Sequence, residues 1–283
     1  MNKLLTALIA AGFCLGVVTD SMAWGLKKKE DVIRCEGSTT VLPIAEAFAE
    51  YFKGQTGHNV TVAGGGSGNG AKALLNGTGD VGNMSRFMKG KEFSACVEKG
   101  VYPVAHVVAF DGIAIVVNEK NPVEELTKDK LRDIFMGRIK NWKKLGGPDM
   151  DIVLCSRDKN SGTFDTFKNL VMKHKGKKHE VDSSANSLGS NGAVHSMVKK
   201  TPAAIGFVGL GFTDGVKTLK IDGVAPSKRT VKSGRYPVAR PLFMWTNGYP
   251  EMGSPLFRFL NIHLTRDGQE IIESQGFVPV TKY

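Results

Sequence analysis

Ile152-Val153-Leu154-Cys155-Ser156-Arg157-Asp158-Lys159-Asn160-Ser161-Gly162-Thr163-Phe164 is the stretch that decides how this chain folds. Residues 152–154 read as a short apolar strand, and 157–163 as the turn that ends it. Phe164, Phe167, Leu170 and Val171 then recur at the spacing of an amphipathic helix. Working outward, the same strand–turn–helix unit recurs. Residues 32–35 form a strand followed by Gly37-Ser38-Thr39-Thr40; the helix after it has Pro43 in its first turn and Ile44, Ala47, Phe48, Tyr51 and Phe52 inward. Residues 60–62 form a strand broken by Gly64-Gly65-Gly66-Ser67-Gly68-Asn69-Gly70, and a short helix over 71–76 is closed by Gly77. Residues 81–86 are a strand leading into a turn. Residues 112–117 are apolar without alternation, as in a strand covered on both faces. Further helices are predicted over 127–135, stopped by Gly137, and from the Ser254-Pro255 pair onward. This alternation predicts an α/β fold with largely parallel strands.

The junctions carry the chemistry. Ser38-Thr39-Thr40, Ser67-Gly68-Asn69 and Ser161-Gly162-Thr163 are all small, hydroxyl-bearing or glycine-rich, and each opens a helix. Helix N-termini present unpaired N–H groups at the positive end of a dipole, an arrangement suited to anions. In open α/β sheets such turns lie at the carboxyl ends of strands, where ligands bind. Arg157 adds a planar guanidinium that can hold an oxyanion at two points. Serine, threonine and asparagine are also ordinary helix caps, which suffices to explain one junction. Three alike, with an arginine four residues ahead of one of them, favour a site for a tetrahedral anion.

Composition and the N-terminus bound the class. Hydrophobic residues make up 41% of the 283 and charged residues 23%, as in a globular chain with a core, in one large or two medium domains. Lys3, the apolar run 4–18 and Ser21-Met22-Ala23 read as a cleaved secretory signal over 1–23, with Trp24 the mature start in the periplasm. The apolar run falls short of the roughly 20 residues of a membrane span, and Phe13 argues against lipoprotein cleavage at Cys14. The net charge of +11 attracts anionic partners in general and discriminates among none of them.

Competing chemistries find little support. Ala71 stands where a P-loop lysine belongs, the glycine run does not fit G-x-G-x-x-G, and no serine lies in G-x-S-x-G. The basic run 173–178 has no aromatic residue, so it lacks the stacking element of a nucleic-acid site and reads as a solvated loop. The six histidines show no metal-ligand spacing. No cofactor and no metal is expected. Removing the signal leaves Cys35, Cys96 and Cys155; a Cys35–Cys96 bridge is the pairing an oxidising compartment would permit, and the odd cysteine argues against a disulfide scaffold.

Taken together, Gly37-Ser38-Thr39-Thr40, Gly65-Gly66-Ser67-Gly68-Asn69-Gly70, residues 79–86, Arg157 with Ser161-Gly162-Thr163, residues 204–208 and Tyr236-Pro237-Val238-Ala239-Arg240-Pro241-Leu242 resemble the phosphate-binding proteins of ABC phosphate transporters. The resemblance covers essentially the whole mature chain. It implies a type II periplasmic binding protein, α/β, with two lobes that each hold a mixed sheet flanked by helices and a ligand in the cleft between them. The lobes would comprise residues 24–109 plus 243–283, and residues 110–242. It implies capture of inorganic phosphate for the membrane permease of an ABC importer, by a monomer that is not an enzyme. Carried over, it puts Thr39, Thr40 and Ser67 on the ligand from one lobe, with Ser85 beside them, and Arg157, Ser161, Gly162 and Thr163 from the other. Ser38 is a further candidate, and Arg86 is open between an anion contact and a structural ion pair.

The resemblance further implies that Ser85 stands where some members of that family carry an aspartate that accepts the proton of hydrogen phosphate. A carboxylate repels sulfate, so weaker discrimination against sulfate is expected here, unless Asp165 or a backbone carbonyl supplies the acceptor. Charge-assisted hydrogen bonds of about 1.5–3 kcal/mol each offset an association cost of ~4–15 kcal/mol and are compatible with micromolar binding. Two other classes share the scaffold: an exported phosphatase, and an adhesion or sensory module without tight anion binding.

Overall fold

The computed structural model describes residues 32–281, so the expected signal over 1–23 lies outside the described residues. β1 (Ile33–Gly37) passes through the first hydroxyl turn into α1 (Leu42–Thr56), with Pro43 in its first turn. β2 (Val60–Gly64), α2 (Ser67–Asn76), β3 (Val81–Met84) and α3 (Gly90–Glu98) follow. α2 begins at Ser67 rather than at residue 71, because the Ser-Gly-Asn-Gly run is itself helical and lies on the sheet. A Cβ on Gly70 would stand 2.8 Å from the Asn83 carbonyl and 3.0 Å from that of Glu36. Only glycine lets the helix approach the strands that closely.

β4 (Pro103–Val117) is the longest strand; the apolar run 112–117 is its second half. Then come β5 (Glu125–Leu126), α4 (Lys128–Phe135) capped by Thr127, and β6 (Val153–Arg157). Ser161 caps α5 (Gly162–Phe167), which widens into a π-helical turn over Lys168–Met172. The basic run forms a hairpin, β7 (Lys173–His174) with β8 (Lys177–Lys178), and its lysines are exposed as read from the sequence. β9 (Asn186–Leu188), α6 (Asn191–Lys200), β10 (Ala204–Gly209), β11 (Lys217–Thr218), β12 (Lys220–Ile221) and α7 (Lys228–Lys232) complete the middle of the chain. β13 (Ala239–Asn247), α8 (Pro255–Leu260), α9 (Arg266–Ser274) and β14 (Val278–Pro279) close it.

Strand order is β2-β1-β3-β13-β4-β10-β6-β9. Pairing is parallel at both ends, β2 with β1 and β1 with β3, then β10 with β6 and β6 with β9. It is antiparallel through the middle, where β13 pairs with β3 and β4, and β4 pairs with β10. The expectation of largely parallel strands is therefore corrected to a mixed sheet, and hydrogen bonding runs unbroken through β13 and β4 between its halves. These long antiparallel strands have to carry the chain across and back, which parallel strand–helix units cannot do.

The apolar side chains divide accordingly. One core gathers Ile113, Ile115, Val117, Trp142 and Val194 around the rings of Phe135, Phe167 and Phe207, the last two stacked at 4.2 Å. Another gathers Ile33, Ile44, Phe48, Phe52, Leu242, Met244, Phe259 and Ile272, with a satellite of Leu74, Met84, Phe243 and Trp245. The result is a mixed α/β fold with two main apolar cores joined by the long crossing strands β4 and β13. Cys35, Cys96 and Cys155 are free and buried, with Cys35 and Cys96 in separate apolar clusters, so the permitted bridge is not formed. Burial pushes the Cys155 thiol up to about 12 and Cys35 higher still, which makes both unreactive. Among the described residues no helix is long and apolar enough to cross a membrane.

Candidate anion-binding site

The turns singled out in the sequence meet. Thr40 Oγ1 lies 3.0 Å from Thr163 Oγ1, 123 residues on, and the Gly68 amide donates to the Asn160 carbonyl at 3.0 Å. A Cβ on Gly162 would fall 2.2 Å from Ser67 Oγ and 2.7 Å from Ser85 Oγ. Thr40, Ser67, Ser85, Ser161 and Thr163 are all at most 1% exposed. This much buried hydroxyl is costly to leave unpaired and is compatible with folding only when the groups bond one another or a ligand.

Arg157, at the end of β6, is 2% exposed and forms no ion pair among the described residues. Its Nε donates to Leu188 O at 2.9 Å, and Nη2 donates to Gly189 O at 3.0 Å and Thr39 Oγ1 at 3.3 Å. Nη1 is buried with no hydrogen-bond partner. Burial lowers its pKa to about 10, against the longer-range pull of Asp158. The guanidinium is therefore charged at neutral pH, and its charge is met mainly by neutral oxygens. A buried cation held in this way is matched to an anion.

Several roles assigned from sequence take definite form. Ser161 Oγ accepts from the Phe164 amide at 3.1 Å and so caps α5. Ser67 Oγ accepts from the Ser85 amide at 3.0 Å and lies 3.4 Å from Ser85 Oγ. Ser38 Oγ accepts from the amides of Thr40 at 3.1 Å and Val41 at 3.4 Å, so its oxygen is committed to starting α1. Arg86 takes the structural alternative. Nη1 and Nη2 grip Glu92 at 2.8 Å each, and Nε stands 2.9 Å from Asp165, which Lys89 also meets at 2.6 Å. Asp165 Oδ2 is thereby engaged by two cations as well.

Arg157 and, as the open case, Arg86 are the cations that the sequence offers to the site. The structure adds Arg240. Asp111 on β4 and Arg240 on β13 are register partners, and both are buried. Arg240 donates to Asp111 Oδ2 through Nε (3.0 Å) and Nη2 (2.8 Å), to Ser85 O through Nη1 (3.1 Å), and to Thr40 Oγ1 through Nη2 (3.3 Å). Burial pushes the Asp111 carboxyl up and Arg240 down, each opposed by the other's charge. Asn191, fully buried at the start of α6, donates to Thr39 Oγ1 at 3.2 Å and Thr40 Oγ1 at 2.9 Å. A signal for Asp111 was present: a lone acid beside the apolar run 112–117 must have a buried cation for a partner. Asn191 lies in an unremarkable Ser-Asn-Gly run and carried no signal.

Comparison with known proteins agrees with this geometry. The family model described as a PBP superfamily domain matches residues 26–258. The phosphate-binding protein PstS of Bacillus subtilis is 33% identical over 299 aligned positions, 99% of this chain and 95% of that protein. The chain belongs to the phosphate-binding-protein family. PstS of Borreliella burgdorferi is 30% identical over 93% of this chain and 96% of its own length. Among solved structures, a Clostridium perfringens protein provisionally assigned as a phosphate ABC transporter substrate-binding protein, with bound phosphate, superposes with a TM-score of 0.80. It is 31% identical and covers 89% of this chain and 100% of that one. Among the described residues no group of His, Cys, Asp and Glu could hold a metal ion.

Proposed function

We propose that the protein is an extracytoplasmic solute-binding protein that captures inorganic phosphate, as hydrogen or dihydrogen phosphate, and presents it to the permease of an ABC-type importer. The observation that carries the reading is the buried Arg157 guanidinium, which keeps Nη1 unpartnered and reaches the hydroxyl turn after β1 through Nη2 and Thr39 Oγ1. Relatives named for phosphate binding, matched over nearly their whole length, support it. Thr39, Thr40, Ser67, Ser85, Ser161, Gly162 and Thr163 are the proposed companions of Arg157 on the anion. Ser38 and Arg86 stand behind them, the first shaping a turn and the second holding the cleft edge. The proposed lobes are 24–109 with 243–283, and 110–242, hinged where β4 and β13 cross. The chain is read as an exported monomer in the periplasm, its signal cleaved after residue 23.

Closure on the anion excludes water, which strengthens every charge-assisted bond inside, and changes the shape that a permease reads. Relatives of this kind are transport proteins, and a phosphatase activity is separated by a chromogenic phosphomonoester assay. Titration of the phosphate-stripped protein with phosphate, arsenate and sulfate tests the whole reading. Heat on phosphate addition, with a rise in melting temperature by mass action, is expected. No binding of any of the three would overturn it. With Ser85 in place of a carboxylate, measurable sulfate competition at millimolar concentration is expected, and Ser85→Asp should reduce it. Wild-type protein indifferent to millimolar sulfate would sink that part.

A further inference from the structure

The hydrogen bonds around Asn191 define directions as well as contacts. Asn191 Oδ1 faces the Gly209 amide at 3.3 Å, and a backbone N–H can only donate. That contact settles which end of the amide is which and leaves Nδ2 facing Thr39 and Thr40. A threonine hydroxyl has two lone pairs and one hydrogen. Thr39 Oγ1 accepts from Asn191 Nδ2 and from Arg157 Nη2, so both lone pairs are taken and only its hydrogen remains. Thr40 Oγ1 accepts from Asn191 Nδ2 and Arg240 Nη2, so its hydrogen goes to Thr163 Oγ1 at 3.0 Å. Thr163 accepts there, and its own hydrogen is left over.

We propose that Asn191 is a positioning residue that sets the proton direction of this hydroxyl relay, leaving Thr39 able only to donate to a bound anion and Thr163 with a hydrogen that Thr40 cannot accept. The proposal rests on the anion-binding reading above and deepens it: the ligand is met at Thr39 by a donor alone and at Thr163 by a free hydrogen, which suits acceptor-only oxygens and, at Thr39, disfavours an oxygen carrying a proton. Asn191 acts without touching the ligand. It acts on Thr163 through Thr40.

A double-mutant cycle between Asn191→Ala and Thr163→Val tests this, read by calorimetric titration of the phosphate-stripped protein with inorganic phosphate. Removing Asn191 frees Thr40 to turn its hydrogen elsewhere, so the Thr163 hydrogen is no longer barred from Thr40. Asn191→Ala is expected to weaken binding at least tenfold, and Thr163→Val to cost at least threefold less in that background than in wild type. A residue that merely fills space would give additive losses, because the two side chains do not hydrogen-bond each other. Additive losses, or Asn191→Ala binding within twofold of wild type, would overturn the proposal. Should the alanine variant not fold, the isosteric Asn191→Asp keeps the shape and turns the donor into an acceptor. Its binding is expected to be lost at pH 8 and regained as the carboxylate is protonated; a folded Asp variant binding like wild type at pH 8 would equally refute it. Wild-type protein that binds no phosphate would count against the function and is read separately.

Discussion

Arg157 and Arg86 were both candidates for the anion, and both are buried, yet they sit in opposite electrostatic surroundings. Arg86 is held by two carboxylates, Glu92 at 2.8 Å and Asp165 at 2.9 Å. Arg157 bonds to backbone carbonyls and one threonine hydroxyl, and keeps Nη1 without a partner. The difference teaches a rule for reading such clefts. A buried guanidinium already neutralised is part of the frame, and one left in neutral company is where the anion belongs. Arg240 occupies a middle case, neutralised by Asp111 while lending donors to Thr40 and to the Ser85 carbonyl.

The largest expected effect exchanges these roles. Arg157→Ala should remove tight phosphate binding while the protein still folds. Truncating one side of a buried charge-assisted contact costs about 2–5 kcal/mol, a loss of ~30-fold to several thousand-fold in affinity. Arg86→Ala should do the reverse: it strands two carboxylates, lowering folding stability by about 1–3 kcal/mol, with a smaller loss of affinity. Calorimetry and thermal melts on both proteins decide. Arg157→Ala binding within threefold of wild type, or Arg86→Ala losing more affinity than Arg157→Ala, would break the comparison.

Gly162 tests whether the cleft closes as tightly as it stands. A Cβ there would meet Ser67 Oγ at 2.2 Å and Ser85 Oγ at 2.7 Å, so Gly162→Ala forces the hydroxyls or the lobes apart. Overpacking of this kind costs about 1–3 kcal/mol. The expected result is a drop of ~5- to 150-fold in phosphate affinity, with less compaction on ligand addition in small-angle scattering. Unchanged affinity would mean that bound protein is more open at this point.

Much of this was legible because it is local. Ser161 capping α5, Thr127 capping α4 and Ser254 capping α8 follow from side chains reaching an amide three residues on. The hydroxyl junctions and Arg157 were found for the same reason. Arg86's commitment was not legible, since Asp165 lies on another element and nothing near either residue announces the pairing. Arg240 required the β4–β13 register, in which residue 240 faces residue 111, and sequence spacing carries no register across so long a loop. The first half of β4 was passed over because its burial is irregular and alternates poorly. The expectation of parallel strands failed in the centre for a related reason: crossing strands are made by the return of the chain, which no single strand–turn–helix unit displays.

The smallest expected effect lies at the cleft edge. Asp165 follows the Ser-Gly-Thr turn on α5, whereas Arg86 and Lys89 follow β3, so the ion pairs at 2.9 Å and 2.6 Å bridge the cleft beside the site. On the proposed division into lobes they form only when the two sides are together, and so would favour closure. Asp165 is 20% exposed and Lys89 37%, so solvent screens much of the interaction, and pairs of this kind contribute about 0.2–1 kcal/mol. Asp165→Asn should lower phosphate affinity by only ~1.4- to 5-fold, with loss of the part of the wild-type salt dependence that the bridge supplies, since exposed pairs weaken as the Debye length shrinks. Phosphate titrations of both proteins at low and high chloride measure it, with chloride chosen because sulfate is an expected competitor. A salt slope identical in wild type and variant would show that the bridge does not favour closure, and a loss as large as that of Arg157→Ala would show that frame and ligand groups cannot be told apart by their neutralisation.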